Sequence, residues 1–139
     1  MAASIIAPGE AGGGVMVIKV TGEASTDAGG IGAVANPEGT SLLITRATWH
    51  IDTPSTGAAN VNIGVGDADA DNTDIINALA ANGAIAGKVY NGQARQNTAK
   101  TEITAPAVWT DAKYITFKGS ASTAGLVAYL YVEYIRLAK

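Results

Sequence analysis

The sequence predicts a mainly β fold, an antiparallel β-sandwich or barrel carrying one short α-helix over about 73–82. Three observations predict it. Short β-branched runs alternate apolar and polar side chains, as the pleat of a half-buried strand requires. Turn residues separate these runs, with 17 Gly, 4 Pro and abundant Thr, Asn and Ser. One stretch, from Ile75 to Ala80, instead spaces its apolar residues as a helix does. The 139 residues fit one domain, long enough to bury about two-thirds of the surface that the unfolded chain exposes.

The first fourteen residues, ending in EAGGG, hold no sustained period and contain Pro8, so residues 1–14 are expected to form a flexible arm and 15–139 a single β-sandwich domain. VMVIKVT, Val15 to Thr21, reads as a strand. Residues 22–40 are rich in turn formers and read as a long loop. In LLITRATWHID the odd positions Leu43, Ala47, Trp49 and Ile51 define one face, and Arg46, Thr48, His50 and Asp52 the other. TPSTGA supplies a turn, after which Val61, Ile63 and Val65 alternate with Asn60, Asn62 and Gly64. Two such runs around a Pro-Gly turn predict a β-hairpin.

GDADADNTDIINALAANG follows, with Asp67, Asp69, Asp71 and Asp74 within eight positions. Asp71, Asn72 or Thr73 would cap a helix, Asp74 would favour its first turn, and Asn82-Gly83 would stop it. GKVYNGQ reads as a short strand and turn, and RQNTAKTEITAPAVWTD as a polar connection with an extended piece near 100–104. KYITFKG sets Ile115 and Phe117 opposite Tyr114, Thr116 and Lys118. In the last run, Gly125 to Leu137, Tyr129 and Tyr131 share a face with Val127, Glu133 and Ile135. Tyr134 joins Leu126, Leu130 and Val132. Both faces carry apolar bulk, and a run buried on two sides has either a second sheet or a neighbouring subunit over it.

Composition narrows the function. Nine Lys plus Arg against twelve acids give a net charge of −3 without a basic block, so nucleic acid is not an expected partner. There is no cysteine, which removes thiol catalysis and disulfides. MAASIIAPGE has neither a basic n-region nor a long apolar h-region, and no apolar run approaches the roughly 20 residues of a membrane helix. The expectation is a soluble protein made in the cytoplasm without a signal peptide, with no membrane partner.

The Asp-rich stretch resembles the start of a calcium-binding EF-hand loop, which needs Gly at its sixth position and Glu at its twelfth. Counting from Asp67, those positions hold Asn72 and Ala78. The expected reading is a solvated loop with no cofactor; the alternative is a looser calcium site built from Asp67, Asp69 and Asp71. His50 and Asp52 would share a strand face as a base and its orienting acid, but no positioned nucleophile accompanies them. No catalytic residue is assigned. Trp49, Trp109, Tyr114, Tyr129, Tyr131 and Tyr134 are core aromatics or a sugar-stacking surface.

The succession of ITRATWHIDTPSTGAANVNIGVG, the Asp-rich capped helix, GKVYNGQARQ and KYITFKGSASTAGLVAYLYVEYI, over roughly residues 42–136, resembles the capsid decoration, or cement, proteins of tailed bacteriophages. The resemblance implies a jelly-roll-like β fold and a virion structural protein on the capsid exterior, bound to the major capsid protein as a homotrimer and stabilising the head. It also implies an N-terminal arm that grips the shell, which makes Ile5, Ile6 and Pro8 the candidate capsid-binding residues. A carbohydrate- or receptor-binding module of a head or tail fibre, using Trp109 and the tyrosines, is the alternative.

Overall fold

The computed structural model describes residues 12–24, 31–82, 89–92, 96–97 and 107–137. The chain runs through β1 (Gly12–Thr21), β2 (Ile31–Ala35), β3 (Leu42–Thr53), β4 (Asn60–Gly66), β5 (Ile76–Ala80), β6 (Val89–Gly92), β7 (Gln96–Asn97), β8 (Ala107–Trp109), β9 (Tyr114–Gly119) and β10 (Val127–Arg136). The first sheet has the order β1-β10-β3-β6, with β8 also pairing with β3; the second has the order β2-β9-β4-β5-β7. All pairs are antiparallel except the two-residue contact of β5 with β7. The expected mainly β sandwich is what forms.

The inward residues of the two sheets make one core. Leu42, Ile44, Trp49, Ile51, Leu130 and Val132 from the first sheet are fully buried, as are Ile63 and Ile115 from the second. Trp49 and Phe117 stack across the layers with centroids 6.1 Å apart and planes 26° from parallel. An offset aromatic pair of this kind adds about 0.5–1.5 kcal/mol beyond the area it buries.

Several expectations are corrected. β3 and β4 do not form a hairpin: β3 lies in the first sheet between β10 on one side and β6 and β8 on the other, while β4 pairs with β9 and β5 in the second. The connection at 54–59 crosses between layers. Ser55 anchors it, donating from Oγ to the carbonyls of Gly57 (2.7 Å) and Ala81 (3.0 Å), and Thr56 N donates to Ala124 O at 2.9 Å. Strands in opposite layers alternate just as hairpin partners do, so period alone does not name the partner.

The helix over 73–82 is replaced by β5. Asn62 of β4 faces two residues, Asn77 and Ala78, because the register steps from Val61↔Leu79 to Ile63↔Ile76. Ala78 takes a left-handed φ of 55°, and its N–H donates to Asn62 Oδ1 at 2.7 Å. This bulge puts Ile76 and Leu79 in the core together, although three residues apart on a regular strand they would face opposite ways. A bulged strand thus imitates helical spacing.

Leu43 is corrected as well. Thr45 is the extra residue between the pairs Arg46↔Glu133 and Ile44↔Tyr134, and its hydroxyl donates to Glu133 O at 3.2 Å. Leu42 and Ile44 therefore point inward with Ala47, Trp49 and Ile51, and Leu43 turns outward opposite Ile135. Within 22–40, Ile31–Ala35 is a strand that edges the second sheet against β9, where a loop is expected. Ala107–Trp109 likewise adds a short strand to the expected polar connection. β1 takes in Gly12, Gly13 and Gly14 ahead of Val15, and Gly13 lies so close to β10 that a Cβ would fall on the carbonyl oxygen of Tyr134. The rest of the arm, and the extended piece near 100–104, lie outside the described residues.

Candidate functional site

The two outer faces of the sandwich differ. On the second sheet, the loop at 67–75 folds back over β4 and β9. Gly64 and Gly66 leave room for it, since a Cβ on either would collide with Asn72. Asn72 Nδ2 donates to Thr116 Oγ1 at 2.9 Å, and Thr116 is buried beneath it. Over β4 and β9 this face is covered by the chain itself.

The outer face of the first sheet has no such cover among the described residues. The pairing aligns Val15 with Glu133, Val17 with Tyr131 and Lys19 with Tyr129, then Glu133 with Arg46, Tyr131 with Thr48, Tyr129 with His50 and Ile135 with Leu43; Leu43 in turn faces Val108. The large apolar residues exposed on the described surface all lie here: Val15 (62% exposed), Val17 (53%), Val108 (46%), Ile135 (44%) and Tyr131 (37%). Together they open on the order of several hundred Å² of apolar surface, the range in which patches on soluble proteins are commonly binding sites. Arg46 and Glu133 form an exposed ion pair at 3.7 Å within it. The alternation of Tyr129 and Tyr131 in the sequence points to this face. Val15, Val17 and Val108 join it only through strand pairing, and nothing local to their segments marks them.

The aspartates do not converge. Asp67 accepts from Lys113 Nζ at 2.6 Å, and Asp71 Oδ1 accepts from Asn62 Nδ2 at 2.9 Å, with Lys118 Nζ at 3.8 Å from its other oxygen. Asp74 Oδ1 accepts from the N–H of Val65 at 2.9 Å, and Asp69 is exposed at the turn. Asp67, Asp69 and Asp71 are not gathered into a cation site; among the described residues no cluster of three or more acidic or histidine side chains is placed to hold a metal. The expected helix cap also gives way, because Asp74 holds a loop against β4.

His50 lies against Tyr129, with ring centroids 6.5 Å apart and planes 22° from parallel. No hydrogen bond or ion pair connects it to Asp52; a register step between Val127 and Ala128 leaves Asp52 as the extra residue of β3. Trp109 is fully buried, and its indole N–H donates to Lys113 O at 2.8 Å, so it presents no stacking surface to a sugar. Two clefts, about 60 Å³ between the ends of β1 and β9 and about 170 Å³ around Ala59 and Ser120, fall short of the roughly 300–1,000 Å³ of small-molecule sites.

At one end of the sandwich Glu38 reaches β10. It accepts from Arg136 Nε at 2.8 Å and from the Tyr134 hydroxyl at 3.1 Å, and the guanidinium sits 5.6 Å from the Tyr134 ring centroid. The bond from Arg136, then that from Tyr134, holds the Glu38 carboxyl below its ordinary range. Burial, then the bond to Glu38, raises Tyr134, and the same carboxylate raises Arg136. Asn36 closes the turn that carries Glu38, its Nδ2 donating to Thr40 O (2.9 Å) and Trp109 O (3.0 Å). Ile5, Ile6 and Pro8 lie outside the described residues. The chain matches no protein-family model and no curated protein sequence.

Proposed function

We propose that this chain is a structural adhesion protein of a virion, binding the outer capsid surface and stabilising the head. One observation carries the reading: among the described residues the large exposed apolar side chains collect on the outer face of the first sheet, while β4 and β9 of the second are covered by a polar loop of the chain. A sheet face with exposed apolar residues and one ion pair suits docking onto another protein surface rather than enclosure of a small molecule. The resemblance to phage decoration proteins supplies the class of partner, the major capsid protein. Residues 2–11, with Ile5, Ile6 and Pro8, would add a second point of attachment, and many copies on a lattice would offset the ordering cost of such an arm through avidity.

Co-sedimentation with undecorated capsids tests the reading. The full chain is expected to pellet with the shells. Val108→Lys and Ile135→Lys should lower occupancy with the fold intact, and deletion of residues 2–11 should lower it further. No association with any shell offered, or full occupancy by both lysine variants, would reject it; retention of a glycan without binding to shells would favour the receptor-binding alternative.

A further inference from the structure

β1 is an edge without a guard. Its ten residues pair with β10 on one side, and among the described residues nothing pairs with the other. Edge strands in soluble proteins are usually short, interrupted by proline or studded with charge, since a free row of N–H and C=O groups invites another strand. GGGVMVIKVT has no proline and a single charge, Lys19. Val15 and Val17 stand open on its outer side.

We infer that β1 pairs antiparallel with β1 of a second copy, about a two-fold axis at Val17. Registers that keep the outer side chains on one face place odd positions opposite odd ones. Centred on Val17, the pairing sets Val17 against its own counterpart, Met16 against Ile18, and Lys19 against Val15. Val15 is the residue that faces Glu133 on β10. Lys19 of one copy then stands two strand spacings, about 10 Å between backbones, from Glu133 of the second copy. Two long side chains reaching toward each other over one valine close that span, and the symmetry makes the contact twice. Moving the centre to Lys19 would oppose the two ammonium groups, and centring on Met16 would place Lys19 beside Gly13 and Ile135, with no acid in line. Lys19 has no ion pair among the described residues, and Glu133, whose exposed pair with Arg46 is loose at 3.7 Å, would be shared between Arg46 and the incoming Lys19.

The contact closes both exposed edges and joins the first sheets of the two copies into one, β3-β10-β1-β1-β10-β3. It also sets the two apolar faces side by side, which doubles the surface assigned to capsid docking. In that last respect it rests on the proposed function; the pairing itself does not. It predicts dimers, whereas the resemblance to decoration proteins implies trimers, so the mass of the assembly decides.

The test is analytical ultracentrifugation of the full chain, free of capsids, with circular dichroism confirming the fold of each variant. A monomer–dimer equilibrium is expected. In an Arg46→Ala background, which keeps the Arg46 guanidinium from facing the new lysine, Lys19→Glu and Glu133→Lys should each weaken it by about tenfold, and combining the two should restore it, because the exchanged charges again face each other. A chain that stays monomeric at about 100 μM, well above the dissociation constants of functional dimers, would overturn the inference, as would a trimer. Single substitutions without effect, or a double variant no better than the singles, would overturn the register. Self-association is read here without shells and shell binding without reference to mass, so either proposal can fail alone.

Discussion

Asn72 donates from its side-chain amide to the hydroxyl of Thr116, 2.9 Å away, and this bond joins the acidic loop to the outer face of the second sheet. Thr116 is buried, and the same amide lies 3.3 Å from Ala70 O and 3.4 Å from Asp67 O. Asn72→Ala would leave the Thr116 hydroxyl without this partner and release the turn. The expected cost is about 1–3 kcal/mol, the penalty of an unsatisfied buried polar group. Chemical denaturation followed by tryptophan fluorescence measures it; a loss under half a kilocalorie would mean that the loop holds by other contacts.

Ala78 takes the left-handed backbone conformation that favours glycine, with φ at 55°. For an alanine this costs about 1–2 kcal/mol, part of which glycine gives back through the greater freedom of its unfolded chain. Ala78→Gly is expected to stabilise the protein by about 0.5–1 kcal/mol. An increase in the urea midpoint at unchanged slope would show it. A decrease would mean that the side chain, half-buried at this position, contributes more by packing than the backbone loses.

Ala78 also explains where the sequence misleads. Local period reports which way side chains point, and it reports faithfully where strands are regular. Leu130 and Val132 point inward and Tyr131 outward along β10 as the alternation requires. Bulges break the rule. The one at Asn77–Ala78 makes a strand look helical, and the one at Thr45 turns Leu43 out. Partner choice is also silent in the period, which is why β3 and β4 read as a hairpin although they belong to opposite layers. The apolar outer face was partly legible in Tyr129, Tyr131 and Ile135. Its extension through Val15, Val17 and Val108 was not, because it depends on register between segments more than sixty residues apart in the chain.

Glu38 links the loop after β2 to β10, and its folded carboxyl ionises more readily than the ordinary value of 4.5, chiefly through Arg136. A carboxylate with a lowered folded pKa adds stability above its unfolded pKa, and the contribution fades as pH falls through the folded value. The Glu38–Arg136 contribution should therefore be complete near neutrality and decline below pH 4.5. Glu38→Gln is expected to lower stability at pH 7 and to narrow its gap to the unmodified chain as the solution is acidified. Thermal melts at several pH values test this; parallel curves for the two proteins would show that the bond does not couple to folding.

Val108 and Val132 lie on opposite faces of the first sheet, and replacing each by the isosteric threonine separates the work of the two faces. Val132 is fully buried, so Val132→Thr places a hydroxyl in the core and is expected to cost about 1–3 kcal/mol. Val108 is exposed, and Val108→Thr should change stability by no more than about 0.5 kcal/mol. Under the proposed function the exposed patch that includes Val108 contacts the capsid, so Val108→Thr should weaken capsid association although the fold is unaffected. Denaturation curves for both variants, set beside co-sedimentation of Val108→Thr, decide it. A Val108 variant that is destabilised as strongly as the Val132 one would place this valine in the core of the folded chain, and the outer face of the first sheet would lose its claim as a docking surface.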